Sequence, residues 1–178
     1  MTLDEKAENL SLRATNSLVR GYNYITGGTK ADLAEKFLGF GGLLTNVAPY
    51  CFNMLLLQPI TLLNLYESYK KSKIFKDADY EEQRANYEES IGPFVKNNSR
   101  VEDFKGRLKL SIKGTLPLSL LVAITGNIGI DDEKMKLGAF FISSGMLLDV
   151  VSAQIMLADP VEPRDNIIKR YWNRRKSS

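Results

Sequence analysis

Two apolar stretches near the C-terminus constrain this chain more than any other feature. They cover 116–130 and 137–157, and a short polar loop at 131–136 separates them. An α-helix rises about 1.5 Å per residue and the hydrocarbon core of a bilayer is about 30 Å thick, so roughly 20 apolar residues cross it. The second stretch has this length, with one charged residue, Asp149, near its middle. We expect a transmembrane helical hairpin within 114–158.

A third apolar stretch, 37–66, is interrupted by prolines, glycines and amides. Pro49 and Pro59 each lack a backbone donor. One long kinked helix fits this pattern, and so does a broken or re-entrant element, in which protein or water must satisfy the freed backbone groups. The single kinked span is the favoured alternative. The chain is therefore predicted to be an all-α, multi-pass membrane protein with about three transmembrane helices.

Residues 1–36 are predicted to be an amphipathic N-terminal segment. Apolar residues recur there at spacings of three and four, at Leu3, Ala7, Leu10, Ala14 and Leu18. Such a helix lies either at a membrane surface or against the rest of the protein, and both alternatives stay open. Gly27 and Gly28 end the pattern, and Thr29 is a good N-cap for the next helix.

A polar connector, 67–113, and a basic tail, 159–178, complete the chain. The connector is predicted to be a helical hairpin, with Asp77 or Asp79 capping its first helix and its second helix continuing into the apolar stretch. A transmembrane hairpin places the connector and the tail on one side of the membrane. Their lysines and arginines favour the cytoplasm or an organelle matrix. The N-terminus lies opposite if 37–66 is one span, and on the same side if it is re-entrant.

The composition excludes several kinds of chemistry. The chain has 178 residues, no histidine and a single cysteine, Cys51. The absence of histidine removes the most common zinc ligand and general base, and a lone cysteine cannot form an intramolecular disulfide. The net charge of +3 is too small to indicate nucleic-acid binding. We expect no catalytic activity, no metal or other cofactor, and no nucleic-acid partner.

Asp149 is the sharpest candidate for a functional position. An ionisable side chain inside a span costs a few kcal/mol, so it should face protein or a water-filled cavity. Gly145 and Ala153 lie four residues to either side of it, so the carboxyl group lies on a face of small residues. It is interpreted either as a proton or cation site or as a hydrogen-bonded aspartate that holds helices together. The structural role is favoured.

Amide side chains in the spans form a second candidate set. Asn46, Asn53 and Asn64 share one face if the first span is a regular helix, and Gln58 and Asn127 extend this polar set. Interhelical hydrogen bonds of this kind contribute about 0.6–2 kcal/mol each, and they hold helices together at least as often as they bind a ligand.

Two further groups of residues have predicted roles. Small residues that suit close helix packing are Gly138, Gly145 and Ala153. Cations predicted to contact lipid head groups are Arg13, Arg20, Lys70, Lys71, Arg174 and Arg175. The expected partners are the lipid bilayer and either other membrane proteins or further copies of the chain.

These features favour a non-catalytic role in the membrane. The hypothesis is an integral membrane subunit, scaffold or assembly factor that acts through contacts of its helices. The alternative is an oligomeric transporter or channel, whose path is lined by Asp149 and the stripe of Asn46, Asn53 and Asn64. Because three spans are few for a pathway, this alternative requires oligomerisation.

Overall fold

The computed structural model describes residues 3–52, 58–91, 98–129 and 131–176. All regular structure in these ranges is helical, as predicted. The helices are α1 (Leu3–Thr26), α2 (Lys30–Cys51), α3 (Gln58–Ile91), α4 (Asn98–Ile128), α5 (Glu133–Met156) and α6 (Ile167–Lys176).

Helices α2 to α5 form an antiparallel bundle around α5. Helix α5 packs against α2 on one side and α4 on the other, and α2 also packs against α3. Helices α3 and α4 meet through Phe75 and Phe104, whose ring centroids lie 6.2 Å apart in an edge-to-face arrangement. This arrangement leaves a cleft between α3 and α4, with α5 beneath it.

The single kinked span predicted over 37–66 is not observed. Helix α2 ends at Cys51, α3 begins at Gln58, and the two helices are antiparallel. A Cβ atom added to Gly42 would lie 3.4 Å from the Ser68 hydroxyl of α3. The structure therefore matches the broken-element alternative, in which the chain reverses direction within this region.

The two prolines of this region are compatible with the reversal. Pro49 lies in the last turn of α2, and Pro59 lies in the first turn of α3. A proline in a first turn lacks an N–H group that would have no helical partner anyway, so it costs no hydrogen bond there. Asn46 and Asn64 lie on different helices, so they do not form a stripe along one continuous helix. Asn53 lies outside the described residues.

The predicted break between α1 and α2 is confirmed. Gly27 has a φ of +79°, the left-handed region that favours glycine. Thr29 then caps α2: its hydroxyl accepts from the Asp32 amide at 3.3 Å, and its own amide donates to the Asp32 carboxylate at 2.9 Å. This reciprocal pair is a capping box.

The predicted N-cap of the connector's first helix at Asp77 or Asp79 is wrong. Both residues lie inside α3, which continues without a break from Gln58 to Ile91. The second predicted connector helix does continue into the apolar stretch, since α4 passes through Pro117. The polar connector and the apolar stretches therefore belong to the same long helices.

The buried core lies at one end of the bundle. Val19 of α1, Leu38 of α2, Phe75 of α3 and Leu108 of α4 surround Met156 at the end of α5. Helix α1 packs across this end and contacts α2, α5 and α6. Farther along the bundle, the outer faces of α2 and α4 are apolar and exposed.

Helices α4 and α5 are long and apolar enough to cross a membrane, over Val101–Ile128 and Glu133–Met156. Only 11% of the most apolar part of α4 and 39% of that of α5 is buried within the protein. The core helix of a soluble protein is mostly buried, and α4 differs clearly from that pattern. The third predicted span is not shown.

Candidate functional site

A fully buried lysine lies where α2, α3 and the end of α5 meet. Lys30 is 0% exposed, and its Nζ atom donates to Glu82 Oε2 at 2.5 Å. It also donates to the carbonyl oxygens of Met156 and Ala158, at 3.2 and 2.8 Å. All three ammonium donors therefore have an acceptor. Because these two carbonyls belong to the C-terminal end of α5, the cation also interacts favourably with the dipole of that helix.

Glu82 extends this contact to a third helix of the bundle. Its Oε1 atom accepts from Lys105 Nζ of α4 at 2.8 Å, and the glutamate side chain is buried. One carboxylate thus joins α2, α3 and α4. Buried charges cost desolvation free energy, and a geometry that satisfies every donor offsets this cost. Lys30, Glu82 and Lys105 are called the ion-pair network below.

Asp79 lies one turn before Glu82 on α3 and is also buried. Its Oδ1 atom is buried without a hydrogen-bond partner. Burial raises the pKa of the Asp79 carboxyl group, and the Thr29 hydroxyl, the Lys30 charge and the Ala31 amide oppose this rise only in part. The network therefore has a neighbouring carboxyl group that takes up a proton more readily than an ordinary aspartate.

Sequence reasoning did not identify the ion-pair network. Its members lie on different helices, so no local spacing connects them. One weak signal was present, since Lys30 is the first residue of α2, where the helix dipole disfavours a cation. A lysine at this position suggests that another part of the protein supplies its counter-charge.

Asp149 of α5 faces Lys71 of α3. The distance from Lys71 Nζ to Asp149 Oδ2 is 3.9 Å, and both side chains are partly exposed. Asp149 and Thr115 of α4 line the same two cavities, so the carboxylate lies near the start of the apolar part of α4. Asp149 is therefore not isolated inside an apolar bundle. Lys71, predicted to contact head groups, lies beside it.

Two cavities meet at this ion pair. The larger, of about 360 Å³, lies in the cleft between α3 and α4, and the smaller, of about 220 Å³, lies toward α2. Lys71, Thr115 and Asp149 line both cavities. A carboxylate in this position can pair with lysine, and its access to two cavities also suits a site that binds a proton or a cation.

The small residues of α5 lie against α2, α3 or α4. A Cβ atom on Gly145 would lie 2.5 Å from Thr45 Cγ2 and 2.9 Å from the Gly41 carbonyl oxygen, both in α2. One on Gly138 would lie 2.6 Å from the ring of Phe52. Ala153 is buried beside the cleft. The close approach of α2 and α5 therefore depends on the absence of a side chain at Gly145.

The predicted amide cluster is not assembled in the part of the chain that the structure describes. Asn46 donates to the Gly42 carbonyl at 2.9 Å, and Asn127 donates to the Ala123 carbonyl at 2.7 Å. Each amide thus bonds to its own helix. The side chains of Asn53, Gln58 and Asn64 lie outside the described residues.

Two of the predicted head-group cations, Arg20 and Lys71, lie near a carboxylate of another segment. Arg20 lies 3.6 Å from Asp159. Helix α6 packs on α1, where the Arg170 guanidinium stacks over the Tyr24 ring with 4.7 Å to its centroid. The other predicted cations are exposed: Arg13, Lys70, Arg174 and Arg175.

Across the described ranges, no group of three or more histidine, cysteine, aspartate or glutamate side chains is placed to hold a metal ion. The polar groups brought together by the fold are ion pairs that join helices. Comparison of the chain with protein-family models, with curated proteins and with solved structures gives no significant match.

Proposed function

We propose that this chain is a non-catalytic integral membrane protein, a subunit, scaffold or assembly factor, with α4 and α5 as its spanning hairpin. The observation that carries the proposal is the bare apolar face of α4. Leu121, Ile124 and Ile128 are 57, 55 and 82% exposed. Soluble monomers rarely expose a contiguous apolar surface of this kind. A bilayer covers it and supplies the missing burial.

The path of the chain suggests where the rest of the protein lies. Because α2 and α3 are antiparallel, the start of α2 and the polar half of α3 lie at the same end of the bundle. Helix α1 is bonded to the tail there: Asn16 donates to Asp159 at 2.8 Å, and Asn23 donates to the Glu162 carbonyl at 2.8 Å. We therefore place α1, the connector and the tail on one side, which is the cytoplasm or an organelle matrix.

The chemistry of the described residues supports a scaffold. Lys30 and Glu82, both buried, pair with each other in the ion-pair network, which joins four helices at one end. Such a network favours one arrangement of the bundle. The expected partners are other membrane proteins or a second copy of the chain. Either would contact the exposed outer faces of the bundle helices.

Membrane insertion and sidedness are tested by labelling. Single cysteines replace Glu133, Lys6 or Ser178 in a Cys51→Ser background, and sealed vesicles are treated with an impermeant thiol reagent. Position 133 should label from one side, and positions 6 and 178 from the other. The protein should also resist carbonate extraction. Monodisperse protein recovered without detergent would overturn the proposal.

The scaffold role itself is tested in native membranes. Mild detergent extraction followed by native electrophoresis should give a complex larger than the monomer, and cross-linking before extraction should retain it. The matched control is the same protein purified alone and reconstituted. A chain that migrates as a monomer in both preparations would contradict the scaffold role while leaving the membrane topology intact.

A transporter or channel is a second candidate, and the two cavities that meet at Asp149 favour it. The Asp149–Lys71 pair, with Thr115 beside it, would line such a path. Proteoliposomes separate the two functions. A pH-dependent proton or cation flux that is lost in a folded Asp149→Asn variant would establish the transporter, and absence of flux in both proteins would support the scaffold.

A further inference from the structure

Helix α1 packs on the bundle through its polar face. Thr15, Val19 and Asn23, which follow one another at four-residue spacing, are buried against the protein. Asn23 donates to the carbonyl oxygens of Gly28 and Glu162, at 3.0 and 2.8 Å. Helix α1 therefore contacts the bundle through the hydrogen bonds of Asn23 and the buried side chain of Val19.

The apolar face of the same helix points away from the bundle. Leu10, Leu18 and Ile25 are 72, 46 and 59% exposed, and they lie seven or eight residues apart, within about 80° of one another around the helix. Ala7 and Ala14 on this face are exposed as well. These five residues are called the apolar stripe. An amphipathic helix of a soluble protein turns such a stripe toward the core, and α1 does the reverse.

Charged residues of α1 are sorted around the stripe. Lys6, Arg13 and Arg20 are spaced by seven, so they form a cationic row about one quarter-turn from the stripe. On the packed side, Glu8 pairs with Lys109 of α4 at 2.6 Å. A row of cations beside an apolar stripe suits a membrane surface, because the aliphatic stems lie along the apolar layer while the charges reach anionic head groups.

The position of α1 in the fold agrees with this assignment. Its contacts with Asp159 lie just beyond the end of α5, and its contact with Lys109 lies just before the apolar part of α4. These are the levels at which the two proposed spans leave the hydrocarbon core. The stripe is therefore next to the layer that would bury it.

We propose that α1 is an interfacial helix, with its apolar stripe inserted at the boundary of the acyl chains and its cationic row on anionic lipid head groups. This inference rests on the proposed function, since it takes the levels of the membrane from α4 and α5. It adds a lipid preference: the stripe needs any bilayer, whereas the cationic row needs an anionic one. Neutralising one cation near a charged surface costs about 1 kcal/mol of attraction, or roughly a fivefold change in binding.

The test measures the depth of single positions in the full chain, reconstituted in nanodiscs of phosphatidylcholine with or without phosphatidylglycerol. An environment-sensitive fluorophore is attached to a cysteine that replaces Leu18, in the Cys51→Ser background. Asn9, exposed on another face of α1, is the matched control position. Spin-labelled lipids should quench the label at 18 several-fold more than the label at 9, and aqueous iodide should show the reverse order.

The charge contribution is tested with Lys6→Gln and Arg13→Gln together, with Lys134→Gln in the 131–136 loop as control. The double variant should reduce lipid quenching at position 18 in anionic nanodiscs and leave it unchanged in neutral ones. An unchanged value in both would overturn the proposed lipid preference.

A label at Ile124 of α4 separates this inference from the proposed function. Lipid quenching at 124 without quenching at 18 would reject the interfacial helix alone, and absence of quenching at both would reject the spanning hairpin. Protection of position 18 from lipid and from iodide alike would show that a protein surface covers the stripe, which also overturns the inference.

Discussion

Lys30 and Glu82 lie 52 residues apart in sequence, and their Nζ and Oε2 atoms lie 2.5 Å apart in the fold. The same ammonium group donates to the carbonyl oxygens of Met156, the last residue of α5, and of Ala158 just beyond it, and the same carboxylate binds Lys105 of α4. One pair of side chains therefore fixes the relative positions of four helices at the end of the bundle that carries the hydrophobic core.

Lys30→Met should lower the free energy of unfolding by about 3 kcal/mol, because Glu82 loses one of its two counter-charges and the end of α5 loses its cap. Because Lys105 still neutralises Glu82, the loss of stability should lie at the lower end of the range of about 3–5 kcal/mol for breaking a buried ion pair. The measurement is denaturant unfolding in detergent. Lys76→Met is the matched control, since Lys76 pairs with Glu35 at 2.6 Å while both side chains remain about half exposed. It should cost at most about 1 kcal/mol. Equal losses would contradict the role of the buried network.

Asp79→Asn should stabilise the protein at neutral and alkaline pH. Burial raises the pKa of Asp79 above its ordinary value of 3.8. Within the window from that value up to the raised pKa, the folded state binds more protons than the unfolded state, so stability falls as pH rises. The asparagine variant lacks this loss. Melting curves of both proteins should diverge with rising pH and converge toward the acid end, and a wild-type protein that gains stability over this window would contradict the assignment.

Gly145→Ala should destabilise the packing of α2 on α5 by about 1–3 kcal/mol, since the new methyl group overlaps Thr45 and the Gly41 carbonyl. Gly39→Ala in α2 is the control, because a Cβ atom there has no atom within 4 Å. Removing a flexible glycine from a helix should stabilise that variant by about 0.5–1 kcal/mol. The unfolding temperature should therefore fall in Gly145→Ala and rise in Gly39→Ala, relative to the wild-type protein. A shift of both variants in the same direction would contradict the close contact.

Asp149→Asn should have little effect on folding, below about 1 kcal/mol, because the partly exposed pair with Lys71 is weak and an amide can still accept a hydrogen bond. Asp149→Leu should cost more, about 1 kcal/mol, since it removes the carboxylate that lies 3.9 Å from the Lys71 ammonium. Unfolding in detergent distinguishes the two variants. A leucine variant as stable as wild type would contradict a structural role for Asp149.

Local signals in the sequence predicted local structure well. The Gly27 break, the Thr29 cap and the apolar α5 stretch each depend on neighbouring residues, and each is found in the structure. The sequence could not distinguish a reversal between α2 and α3 from a single kinked helix, because Pro49 and Pro59 fit a kinked helix as well as two helix ends. The asparagine stripe failed for the same reason, since it assumed one continuous helix.

Contacts between residues far apart in the chain could not be predicted from the sequence. The ion-pair network depends on which helices become neighbours, and periodicity within a helix carries no information on that. Helix α1 shows the same limit in another form. The spacing predicted four of the five residues of its apolar stripe and not Ile25, but spacing does not determine whether a stripe faces the protein core or the surroundings.

The contacts of α1 also bear on the order of folding. Asn16 and Asn23 bond to residues 143 and 139 positions later in the chain. These two partners of α1 are therefore synthesised well after α1 itself. Until then its buried face has unsatisfied amides, while its apolar stripe is already complete. A nascent chain of this protein should hold α1 at a lipid surface well before α1 becomes part of the folded bundle.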